Sequence, residues 1–230
     1  MLLLGVDTSG KQGGISLARC EGESCQILET SPIAGGTFSA QLVPQIAETL
    51  SKHGFKAADV NALVAISGPG SFTGLRVGLA AVKGLAEALQ IPIISLSLLE
   101  LMAVASHQKG RVLALVDAGR NEFYCGEYDV QERSPEPVRE FPSSRETLLE
   151  LRASKNFTII ACEESILSFL QEHGIAGTRV PRPDSTFAAH FGYKKLLAGE
   201  TTDVEKLDAN YIRRSDAEIF SKPKLQKRPS

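Results

Sequence analysis

Ser67-Gly-Pro-Gly-Ser-Phe-Thr-Gly-Leu-Arg-Val-Gly-Leu-Ala-Ala-Val-Lys83 follows the short apolar run Ala62 to Ile66 and reads as a buried strand, a tight turn and a helix. Gly68, Pro69 and Gly70 punctuate the turn, and Ser71 or Thr73 is placed to cap the helix. Leu75, Leu79, Val82, Leu85, Ala86 and Leu89 then recur at helical spacing, which carries the helix to about Gln90, before Pro92. Gly74, Gly78 and Gly84 lie inside it, and a helix-interior glycine costs about 1 kcal/mol relative to alanine. Two explanations stand: an anion held at the helix start, or close approach of a second helix. A Walker loop ends in Gly-Lys-Ser/Thr, where this chain has Gly74-Leu-Arg, and a dinucleotide fingerprint needs its third glycine one residue earlier. The spacing favours close approach, with a phosphate cradle as the lesser reading.

Outward from this stretch, the chain alternates strands and helices. Leu2 to Val6, Ile15 to Arg19 and Gln26 to Thr30 read as an antiparallel meander. A helix follows, with Leu42, Val43, Ile46, Ala47 and Leu50 on its apolar face, Ser39 as its cap and Pro44 an anomaly in its early turns. After the glycine turn and its helix come a strand at Ile93 to Ser95 and a helix at Ser97 to Ser106. At Arg111 the pattern restarts: Val112-Leu-Ala-Leu-Val-Asp-Ala-Gly119 echoes Leu2-Leu-Leu-Gly-Val-Asp-Thr-Ser9. Strands at Phe123 to Val130 and Val138 to Phe141, a helix at Ser144 to Ala153, a strand at Phe157 to Ala161 and a helix at Ser165 to His173 follow. A short strand at Arg179-Val180 and a helix at Phe187 to Leu197 complete the repeat. The expected fold is α/β with two ribonuclease-H-like lobes, residues 1–108 and 109–215, and a basic tail, 216–230.

Composition narrows the function. The 230 residues are 43% hydrophobic and 23% charged with a net charge of -2, so no global basic field draws the chain to nucleic acid. No long apolar segment or basic leader is seen, and the expectation is a cytoplasmic protein without a membrane span. Cys20, Cys25, Cys125 and Cys162 lack the paired spacing of a zinc site and read as reduced structural residues. His53, His107, His173 and His190 include no pair at helical ligand spacing, and three fall near helix ends. Asp7 and Asp117 each end a strand before a turn of small residues, where a carboxylate either braces its own turn or holds metal and phosphate. Ser67, Ser71 and Thr73 form no nucleophile elbow. Arg213, Arg214, Lys222, Lys224, Lys227 and Arg228, with Tyr211 and Phe220 among them, make a tail that either touches RNA phosphates or is simply solvated.

The glycine stretch through Ala81-Val-Lys-Gly-Leu-Ala86, together with Leu4-Gly-Val-Asp-Thr-Ser9, Val116-Asp-Ala-Gly-Arg-Asn-Glu-Phe-Tyr124 and Asp208-Ala-Asn-Tyr-Ile-Arg213, resembles the TsaB family, formerly called YeaZ. The resemblance implies the actin-like (ASKHA) fold and a non-catalytic part in making threonylcarbamoyladenosine in tRNA. It implies pairing with TsaD, the threonylcarbamoyl transferase, or with a second copy of the chain in a homodimer. The ATPase TsaE joins the larger complex, tRNA is reached only through it, and no cofactor is implied. TsaD carries a metal-binding histidine pair on its first long helix; the matching helix here has none. The carried-over interface falls on Leu42, Val43, Ile46, Leu75, Arg76, Gly78, Leu79 and Val82, with Gly68, Pro69, Gly70 and Gly74 shaping the turn. On that expectation Gly78→Leu breaks pairing and leaves a folded monomer. Competing functions are an ATP-dependent enzyme using Asp7 and Asp117, and an RNA-binding module acting through the tail.

Overall fold

The structure, a computed structural model, describes residues 1–131, 134–154 and 156–209. The basic tail and the Asn210-Tyr-Ile-Arg213 end of the last motif lie outside the described residues. Strands β1 (Leu2–Asp7), β2 (Gln12–Glu21), β3 (Ser24–Ala34), β4 (Ala62–Gly68) and β5 (Ile93–Ser97) form one sheet in the order β3-β2-β1-β4-β5. Strands β6 (Gly110–Gly119), β7 (Glu122–Gln131), β8 (Ser134–Ser144), β9 (Thr158–Ala161) and β10 (Gly177–Arg179) form a second in the order β10-β9-β6-β7-β8. In each, three antiparallel strands are followed by two parallel ones. The two orders are the same when the second is read from β8, so the repeat in the sequence is a repeat of topology. Two ribonuclease-H-like sheets joined in this way make the actin-like architecture.

Helices α1 (Phe38–Lys52) and α2 (Phe72–Leu89) cover the outer face of the first sheet; α4 (Arg145–Ser154) and α5 (Glu164–Glu172) cover that of the second. Between the sheets lie α3 (Leu98–Ala105) and α6 (Ser185–Leu197). β1 and β4 are therefore buried on both faces and are apolar throughout, except for small residues and the terminal Asp7. Each central helix packs mainly on the sheet of the other half, α3 on β6 to β8 and α6 on β1 to β5. At Gly5 of β1 an added Cβ would stand 2.6 Å from the Ser185 carbonyl, so a side chain there would push α6 off the sheet. A hydroxyl cluster fixes the same contact: Ser16 lies 2.8 Å from Ser185 and 3.0 Å from Thr186, and Thr30 lies 2.9 Å from Thr186.

Local details differ from the sequence reading. Thr37, not Ser39, precedes α1, and Ser39 is an exposed residue within its first turn. Cys20 and Cys25 are joined as a disulfide, correcting the expectation that all four cysteines are reduced; Cys125 and Cys162 are free. The hairpin register supplies the reason, because it sets Cys20 directly opposite Cys25 across a turn in which Gly22 has φ +56°. His53 and His173 sit at helix C-termini and His107 just beyond α3, as read. Among the described residues, no helix is long and apolar enough to cross a membrane.

Candidate functional site

The glycine turn and the β1–β2 turn meet. Ser71 caps α2 by accepting from the Gly74 amide at 3.3 Å, and its own amide donates to the Ser9 carbonyl at 2.7 Å. Gly70, Gly74 and Gly78 point at the same two residues: an added Cβ would overlap the Ser9 carbonyl, the Thr8 carbonyl and the Thr8 Oγ1 respectively. The close approach is therefore real, but what approaches is the Thr8-Ser9 turn and not a second helix, which corrects the reading of Gly74 and Gly78. The turn is held from within as well. Asp7 Oδ1 accepts from the Ser9 amide at 2.8 Å and from the Ser9 hydroxyl at 2.5 Å, all of it buried. Asp117 braces the matching turn of the second sheet by accepting from the Gly119 amide at 2.8 Å. Both carboxylates are placed as turn residues. Among the described residues, no group of three or more His, Cys, Asp or Glu gathers closely enough to hold a metal ion.

Across the cleft, Arg182 donates from Nη2 to the Ser9 hydroxyl at 2.7 Å. It also faces Glu163, the residue before α5, whose carboxyl is raised above the usual carboxylate range by burial and, to a lesser extent, by the charge of Asp117, against backbone hydrogen bonding and the pull of Arg182. One Glu163 oxygen is buried without a hydrogen-bond partner. A carboxyl raised on folding destabilises the fold once ionised, and that penalty disappears as pH falls through the folded pKa toward the unfolded one. Glu163→Gln should accordingly raise the melting temperature at neutral pH, by about 2–4 °C for each kcal/mol gained at this chain length. The gain should shrink on acidification, and a gain that is flat from pH 8 to pH 4 would refute the assignment.

The carried-over interface residues divide by burial. Leu42, Ile46, Leu75, Gly78, Leu79 and Val82 are buried in the chain's own core between α1, α2 and the first sheet, so they are not available to a partner. Val43 and Arg76 are exposed. So are Ala40, Pro44 and Ala47 beside Val43, and Phe72, Ala80, Gly84 and Ala88 along α2. Ala40, Val43, Pro44 and Ala47 form an i, i+3, i+4, i+7 stripe; Phe72, Arg76, Ala80, Gly84 and Ala88 form an i, i+4 stripe. Arg76 lies over the Phe72 ring at 3.7 Å, which holds the largest exposed apolar group of α2 against its own helix. The periodicity is legible in the sequence; which face of each helix a partner would meet is not. The segment after α6 completes the border of α2, with Thr202 paired to Ile93 at the edge of β5 and Leu207 and Ala209 packed into the α2 core.

A family model described as "TsaD: tRNA N6-adenosine threonylcarbamoyltransferase" matches residues 32–210. A protein of Bacillus subtilis named tRNA threonylcarbamoyladenosine biosynthesis protein TsaB is 30% identical over 232 residues, spanning 95% of this chain and 96% of that protein. The chain belongs to the TsaB family. Its Haemophilus influenzae relative of the same name is 29% identical over 226 residues, 93% of this chain and 94% of that one. Two Pseudomonas aeruginosa structures share the fold seen here. One, described as an uncharacterized protein with similarity to peptidase YEAZ, superposes with a TM-score of 0.72 at 25% identity over 92% of this chain and 99% of its own. The other, described as YeaZ, gives 0.69 at 23% identity over 90% and 98%.

Proposed function

We propose that this TsaB-family chain is a non-catalytic scaffold that pairs with the transferase TsaD, through the outer faces of α1 and α2, in the formation of threonylcarbamoyladenosine in tRNA. The observation that carries the reading is the exposed two-helix face, Ala40, Val43, Pro44 and Ala47 beside Phe72, Arg76, Ala80 and Gly84. Two adjacent helices presenting small and apolar residues to solvent suit a partner's helices laid against them. The same face serves a homodimer when TsaD is absent, and TsaE and tRNA are met only in the larger assembly. The names borne by the relatives, and the transferase model that matches most of the chain, support the same process. The β1–β2 turn supports the non-catalytic half: Asp7 is engaged by Ser9, Gly70 of the glycine turn and Gly74 and Gly78 of α2 close on Thr8 and Ser9, and Arg182 covers the hydroxyl. The lobes at 1–108 and 109–215 then act as one rigid support for the face.

The test is reconstitution of tRNA modification from purified partners, with and without this chain, alongside a Val43→Arg variant. Omission should abolish modification, and the variant should retain less than about one tenth of the wild-type affinity for TsaD, the effect of a lost contact worth about 1.4 kcal/mol or more. Full modification without the chain would refute the scaffold. Micromolar ATP binding by the isolated chain, lost on Asp7→Ala, would replace it with the ATP-dependent enzyme.

A further inference from the structure

We propose that Arg182 is a positioning residue that sets the docking helix α2 from the opposite lobe, through Ser9 and Thr8. The inference rests on the reading of α2 as the docking helix. Arg182 lies between β10 and α6, flanked by Pro181 and Pro183, whose fixed φ angles stiffen the backbone on both sides of it. Its guanidinium stands where the two halves meet, with Glu163 beside Asp117 on the second-sheet side and Ser9 beside Asp7 on the first. There it joins the two sides, by its 2.7 Å hydrogen bond to Ser9 and its charge beside Glu163. Gly10 is moulded to it, since an added Cβ there would stand 3.1 Å from Nη2.

Ser9 passes the constraint on. Its hydroxyl is shared between Arg182 and Asp7, while its carbonyl receives the Ser71 amide at 2.7 Å, at the cap of α2. Thr8, one residue away, is the surface on which Gly74 and Gly78 rest. A continuous line of direct contacts therefore runs from the guanidinium of one lobe to the first two turns of the helix on the far side of the other. Removing the guanidinium leaves Glu163 without its facing cation and the Ser9 side chain held by Asp7 alone, so the seat of α2 loosens while the rest of the second lobe keeps its packing.

The experiment compares full-length wild type, Arg182→Ala and Arg182→Lys by amide hydrogen exchange and by titration with TsaD. In Arg182→Ala, exchange in segments 8–10 and 71–76 should quicken by about tenfold or more, the scale of one charge-assisted hydrogen bond. Exchange in α4 and α5 should stay at the wild-type rate, affinity for TsaD should fall about tenfold, and Arg182→Lys should recover part of both effects. Unchanged exchange at 71–76, or acceleration spread evenly over both lobes, overturns the positioning role and leaves the docking reading intact. Local acceleration with undiminished affinity overturns the docking reading of α2, and with it the functional consequence proposed for Arg182.

Discussion

Gly78→Ala and Gly74→Ala are each expected to destabilise the folded chain by about 1–3 kcal/mol or more, the cost of forcing atoms into filled space. Helix propensity alone predicts the reverse, a gain of about 1 kcal/mol for glycine to alanine within a helix. The packing effect wins because the new methyl group at Gly78 would overlap Thr8 Oγ1, and that at Gly74 would overlap the Thr8 carbonyl. The two obstacles differ in kind, which makes a rescue experiment decisive. Thr8→Ala removes the hydroxyl and the γ-methyl group, and should restore much of the stability lost in Gly78→Ala. It should do nothing for Gly74→Ala, where the obstacle is backbone. Urea unfolding of the three single and two double variants reads this directly, and a Gly78→Ala chain at least as stable as wild type would show that α2 does not rest on this turn. A consequence follows for Gly78→Leu as a docking probe: the larger side chain would damage the fold before it could report on a partner.

Why the glycines were legible as a close approach but not as an approach to Thr8 is a matter of range. Periodicity and turn chemistry act within some ten residues, and there the sequence was informative: Ser71 caps α2, Gln90 ends it, and two Asp-ended strands open two sheets of equal strand order. Thr8 and Gly78, like Ser9 and Arg182, meet only because β1 lies beside β4 and because α6 crosses to the first sheet. Nothing in local spacing encodes that crossing. The same limit bears on the carried-over interface residues, most of which are buried within the chain. A stripe such as Leu75, Leu79 and Val82 marks a face that is buried, and a helix on a sheet buries its most apolar face against the sheet. On the docking reading a partner is left the second, weaker stripe, in which Ala40, Val43, Ala80 and Gly84 carry little hydrophobic signal of their own. The disulfide was within local reach: Cys20 and Cys25 flank a four-residue turn containing Gly22, and the hairpin register alone sets them opposite.

Gly84 separates folding from pairing better than any buried glycine does. It is exposed in the interior of α2, and an added Cβ would meet nothing within 4 Å, so no contact inside the chain offsets its cost. Gly84→Ala should therefore stabilise the isolated chain by up to about 1 kcal/mol. Gly84→Leu should also leave the monomer folded, because the side chain can extend into solvent. On the docking reading, that side chain occupies space reserved for the partner's helix. An overpacked contact costs about 1–3 kcal/mol, so affinity for TsaD should fall by roughly 5- to 150-fold, with the melting temperature of the free chain at or above that of wild type. The opposite signs are what a merely structural glycine would not give, since a residue retained for the fold alone loses stability and affinity together. Should Gly84→Leu bind TsaD as tightly as wild type, the partner does not lie across this part of α2, and the docking face must shift toward Val43 and Phe72 at the other end of the helix pair.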